Sequence, residues 1–122
     1  MTPRPALSKA DLSQFTGSEC WHRHALVRHV LYTDGARYVA EQAGAYWLID
    51  EIALAQAAQP QIAAEGFQLW KLTVEADQTG QLTCEDGNGG VIYTKRLEFT
   101  DFPVEGIRFY FTDNVILLPS EY

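Results

Sequence analysis

Cys20-Trp21-His22-Arg23-His24 is the densest group of reactive side chains in this chain, holding one of its two cysteines and two of its three histidines. Side chains alternate along an extended strand, so Cys20, His22 and His24 share one face while His29 points to the other. One thiolate and two imidazoles are a partial ligand set for zinc, which takes three or four such donors. No Cys-x-x-Cys or His-x-x-x-His half accompanies them, and Arg23 and Arg28 place positive charge nearby. A partly exposed strand face is therefore the leading reading of Cys20, His22 and His24, with a metal-binding protein or small enzyme as its rival. No metal and no cofactor are expected.

Other chemistry is sparser. Asp50 and Glu51 are neighbours, and on a helix they diverge by about 100°, so they cannot face one another as an acid/base pair. Asp50 is nevertheless the carboxylate to inspect beside Cys20, His22 and His24 if the chain is an enzyme. Cys84 alternates with Leu82 and reads as a small core residue. Gly87, Gly89 and Gly90 precede neither a Lys-Ser/Thr pair nor a helix, so a turn is preferred to a phosphate loop.

Nine Lys and Arg against sixteen Asp and Glu give a net charge of −7, which disfavours general nucleic-acid binding by neutralisation of phosphates. The acids are scattered, as on a solvated surface, which also argues against DNA mimicry. No apolar run reaches the ~20 residues of a membrane span. The N-terminus lacks the apolar core of a signal peptide, and two widely spaced cysteines suit a reducing compartment. A cytoplasmic protein without membrane contact is expected.

The elements that must position these side chains follow from periodicity. A single domain over residues 1–122 is expected, with 1–7 a loose arm. Ser8 caps a short helix that reaches about Phe15. Trp21–Tyr32 is rich in strand formers, and Asp34-Gly35 signals a tight hairpin that sets Tyr32 opposite Arg37. Residues 45–59 form the main helix, with Ile49, Ile52, Ala53 and Gln56 inward and Asp50, Glu51 and Leu54 outward. Strands follow: Phe67–Glu75 with Trp70, Leu72 and Val74 on one face, then Gln81–Glu85 and Val91–Thr100. The last two carry Ile107, Phe109 and Phe111, and Val115–Leu118 after an Asp113-Asn114 turn.

Several motifs together resemble a known group. They are Phe15-Thr16-Gly17-Ser18, Tyr32-Thr33-Asp34-Gly35, Tyr46-Trp47-Leu48-Ile49-Asp50, Glu85-Asp86-Gly87-Asn88-Gly89, Thr100-Asp101-Phe102-Pro103 and Leu117-Leu118-Pro119-Ser120-Glu121-Tyr122. From Phe15 to Tyr122 the chain resembles a family of small bacterial proteins grouped as a domain of unknown function, found partly on phage and plasmid DNA. The resemblance implies an accessory protein of bacteria or their mobile elements and carries over no catalytic residue.

The resulting expectation is an α+β fold: an antiparallel sheet of about six or seven strands, the main helix on one face, and a short N-terminal helix. One helix covers one face, leaving Phe67, Leu69 and Tyr110 on the other. Apolar surface of that kind marks interfaces. The expected function is a non-enzymatic protein-binding or regulatory module with a protein partner, or a homo-oligomer, meeting it there.

Overall fold

Thr33 turns the chain from strand to helix where the Asp34-Gly35 pair had suggested a hairpin. Its Oγ1 accepts a hydrogen bond from the Ala36 N–H at 3.2 Å, capping helix α1, Asp34–Ala43. Asp34 sits in the first turn, and Ala36, Val39, Ala40 and Ala43 follow at helical spacing and are buried. The hairpin expectation is thus corrected: Tyr32 does not pair with Arg37. Helical burial outweighs the β-propensity of Tyr38 and Val39.

The computed structural model describes residues 21–122. The expected arm, the helix to Phe15 and Cys20 lie outside the described residues. Strand β1 spans only Trp21–Arg23 and β2 only Leu31–Thr33. The expected continuous strand is broken because His24 begins a loop closed by the His24 and Val30 N–H groups. Helix α2, Tyr46–Ala58, matches the expected main helix and buries Leu48, Ile49, Ile52, Ala53 and Gln56. Pro60 opens a short third helix, α3, Pro60–Ala63.

Four further strands and a last short one complete the sheet: β3 Phe67–Val74, β4 Gly80–Asp86, β5 Val91–Leu97, β6 Ile107–Thr112 and β7 Val115–Leu117. The described residues form one seven-stranded sheet in the order β1-β2-β7-β6-β3-β4-β5. All pairings are antiparallel except that of β2 with β7. That parallel pair follows from α1 and α2, which return the chain across the sheet instead of through a hairpin. The fold is therefore α+β with a mostly antiparallel sheet and three helices among the described residues.

Trp70, Leu72, Val74, Leu82, Cys84, Phe109 and Phe111 line the inner face and are buried in one core with the helices. A 3-10 turn, Pro119–Glu121, then brings Glu121 back to α1, where its carboxylate accepts from Thr33 Oγ1 at 2.7 Å. Among the described residues no helix is long and apolar enough to cross a membrane.

Candidate functional site

Alternation along β3 puts Phe67, Leu69, Lys71 and Thr73 on the face away from the core, as expected for the first two. The β3–β6 register sets Leu69 opposite Tyr110 and Lys71 opposite Arg108. Phe67, Leu69 and Tyr110 are half-buried rather than bare. Phe67 packs on Tyr110 with ring centroids 5.0 Å apart. Tyr122 closes the cluster with edge contacts to both, at 5.5 and 5.4 Å. Tyr122 itself is 74% exposed, so the ring cluster reaches solvent. Beyond it Leu117, paired with Tyr110, is buried. One end of the far face is therefore aromatic and partly shielded, with Glu85 on β4 standing opposite Leu69.

Its other end is cationic. Lys71 and Arg108 are directly opposed on neighbouring strands, and among the described residues neither enters an ion pair. Beside them, where β6 begins, a groove of about 660 Å³ opens between Lys71–Val74, the loop Phe102–Gly106 and the segment Leu118–Ser120. Neither the pair nor the groove was anticipated. The alternation places Lys71 on the Leu69 face, but its juxtaposition to Arg108 required the register.

The reactive residues lie elsewhere and serve local structure. His24 is 4% exposed. Its Nδ1 accepts from the N–H groups of Leu26 and Val27 at 3.2 and 3.0 Å, and its Nε2 meets Asp50 Oδ1 at 2.7 Å. Two donors on Nδ1 assign the proton to Nε2, so neither nitrogen has a lone pair left for a metal. His22 Nε2 instead meets Asp34 Oδ1 at 2.8 Å, with its ring against Tyr32. The two imidazoles, expected side by side, go to separate carboxylates because β1 ends at Arg23. Among the described residues no hydroxyl or thiol is hydrogen-bonded to His22. None of His22, His24 and Asp50 lines the groove.

Nearby, Arg37 Nε donates to Glu41 Oε1 at 3.0 Å and Tyr46 Oη donates to the same oxygen at 3.1 Å. The bond from Arg37, then that from Tyr46, holds the Glu41 carboxyl below its ordinary range. Lys95 Nζ lies 2.5 Å from Glu51 Oε1, a bond that raises the lysine. Glu51 therefore has a cross-layer partner as well as its place early in α2. Cys84 is fully buried, and desolvation, with Glu65, Glu85 and Asp86 adding repulsion, pushes its thiol up to about 12. As expected from its alternation with Leu82, it is a core residue; its thiolate is strongly disfavoured.

No curated protein and no solved structure matches the chain. One family profile matches residues 6–122. The chain belongs to that family, a family of unknown function (DUF6876).

Proposed function

We propose that this chain is a non-enzymatic binding module that receives a protein partner on the far face of its sheet, as an accessory or regulatory protein in the cytoplasm. The observation that carries this reading is the Phe67–Tyr110–Tyr122 ring cluster, which stands away from the core and reaches solvent. Aromatic side chains supply large contact area at low entropic cost and are enriched where proteins meet. Leu69 continues the apolar strip along β3.

The test is a tagged capture from the native host with wild type and Leu69→Glu, followed by calorimetry with each purified candidate. Wild type binds a defined protein, and Leu69→Glu loses it while keeping its circular dichroism spectrum. A variant that unfolds would place Leu69 in the core. A wild-type dimer by light scattering that Leu69→Glu dissociates would make the partner a second copy. Binding unaffected by Leu69→Glu would remove this face from the proposal.

A further inference from the structure

Resting on that reading, we infer that the partner is an acidic protein segment, whose carboxylates lie over Lys71 and Arg108 while its apolar side chains reach the ring cluster. Like charges directly opposed across an antiparallel pair repel. The chain has sixteen acids to nine Lys and Arg, so a neutralising carboxylate is statistically easy to supply. Arg37 has Glu41 and Lys95 has Glu51, while Arg23, Arg28 and Arg96 also stand outside any ion pair among the described residues. Lys71 and Arg108 differ from those three in being directly opposed. They stand together without an ion pair among the described residues, at the mouth of a groove whose lining includes the exposed Val104 and one carboxylate, Glu105. Arg96 lies on the same face, because β5 pairs it with Gln81, which pairs with Thr73, but Asp77 is close enough to share its charge.

Dimensions narrow the occupant. From Phe67 to Lys71 is four residues of strand, roughly 13 Å. An extended segment lying along β3 thus carries its aromatic or aliphatic anchor about four residues from its carboxylates. A groove of about 660 Å³ is of the size that holds side chains or a chain end. A second copy fits poorly, since each chain carries −7 overall and its acids are scattered rather than gathered in one segment. Nucleic acid fits poorly as well. Three cations are few beside the roughly 6–10 phosphate contacts of a typical binder, and the net charge repels the backbone.

The test uses a displayed library of random dodecapeptides, panned against the full chain. Parallel panning uses Lys71→Glu/Arg108→Glu, the neutral Lys71→Gln/Arg108→Gln, and Leu69→Glu, each first shown folded by circular dichroism. Wild type enriches peptides rich in Asp and Glu that also carry an aromatic or leucine. By fluorescence anisotropy the selected peptide binds the charge-reversed chain about tenfold or more weakly, the neutral chain is intermediate, and added salt weakens wild-type binding. Peptides without acidic bias, or binding indifferent to both charge variants, overturn the inference. If such peptides still depend on Leu69, the binding face stands and only its chemistry is wrong. No enrichment over Leu69→Glu overturns both. Equal binding of a single-stranded oligonucleotide or inorganic phosphate at Lys71 and Arg108 overturns the assignment to a protein segment.

Discussion

Gln56 on α2 and Gln68 on β3 exchange hydrogen bonds in both directions, each Nε2 donating to the other Oε1, at 2.8 and 3.0 Å. Gln68 is fully buried. Its Nε2 also reaches the carbonyls of Ile62 and Glu65, and its Oε1 accepts from Trp70 Nε1 at 2.9 Å. One amide thus joins the helix layer to the sheet and satisfies the polar edge of a core tryptophan. Among the described residues no buried side-chain nitrogen or oxygen is left unpaired, so the network is complete.

Gln68→Leu is therefore expected to cost about 2–3 kcal/mol, since it leaves the buried Trp70 N–H without its acceptor. It also takes one partner each from Gln56, which keeps the Ile52 carbonyl, and from the Ile62 carbonyl, which keeps the Glu65 N–H. Gln56→Leu added to that background costs less than Gln56→Leu alone, because its partner has already gone. Denaturation midpoints of the two single variants and the double variant measure the coupling. Strictly additive losses would refute a shared network.

Gly35 is expected to show a reversal of sign. A Cβ at this position falls 2.5 Å from Glu121 Oε1, within the carboxylate that accepts from Thr33 Oγ1 and from the N–H groups of Gly35 and Leu118. Gly35→Ala displaces a flexible side chain end, so its cost is the lost bonds, about 1–2 kcal/mol. In a Glu121→Ala background the obstruction is gone, and alanine in place of glycine in a helix stabilises by about 0.5–1 kcal/mol. Thermal melts of the four chains decide it. The same sign in both backgrounds would mean that Glu121 does not set the constraint.

These two glutamines and this glutamate explain where the sequence was readable. Periodicity located α2 and the buried face of Trp70, Leu72 and Val74, and residue type located the Asp113-Asn114 turn, because each is set by a few neighbouring residues. The Asp34-Gly35 pair misled because its hairpin signal is equally local, while the competing helix cap is completed by Glu121, 86 residues beyond Gly35. His24 misled for the same reason. Its alternation suggested a partly exposed strand face, but it is buried in a loop, and its partners come from the following turn and from Asp50 on another layer. Lys71 and Arg108 needed strand register, which composition and alternation do not encode.

Cys84 predicts a pH dependence. Burial raises its folded-state thiol to about 12 from an ordinary value near 9. Below pH 9 both states hold the proton and its contribution is fully present. Between 9 and 12 the unfolded thiol loses its proton while the folded one keeps it, so stability falls as pH rises. The loss attributable to this group approaches about 1.4 kcal/mol per pH unit within that window. Urea midpoints for Cys84→Ala should fall less steeply than those of the parent from pH 9 to 11. Parallel slopes would show that Cys84 does not remain protonated in the fold.

Gly106 and Gly89 separate backbone strain from close packing, and with it test how the groove is built. Both take left-handed φ, 66° and 84°. A Cβ on Gly89 meets nothing within 4 Å, whereas one on Gly106 falls 2.2 Å from the Leu72 carbonyl oxygen. Alanine at Gly89 should cost only the conformational strain, about 1–2 kcal/mol. Alanine at Gly106 adds a collision with backbone in the central strand β3, which cannot swing aside as a side chain can. Its expected cost is about 3 kcal/mol or more, the range in which strain and overpacking act together. The damage should also spread, because Gly106 donates its N–H to the Pro103 carbonyl and ends the loop that walls the groove. Amide exchange should accordingly speed up at Gly106 and along the first residues of β6 in Gly106→Ala, but stay unchanged there in Gly89→Ala. Equal midpoints for the two variants would show that the loop does not lie against Leu72, and the groove beside Lys71 and Arg108 would lose its wall.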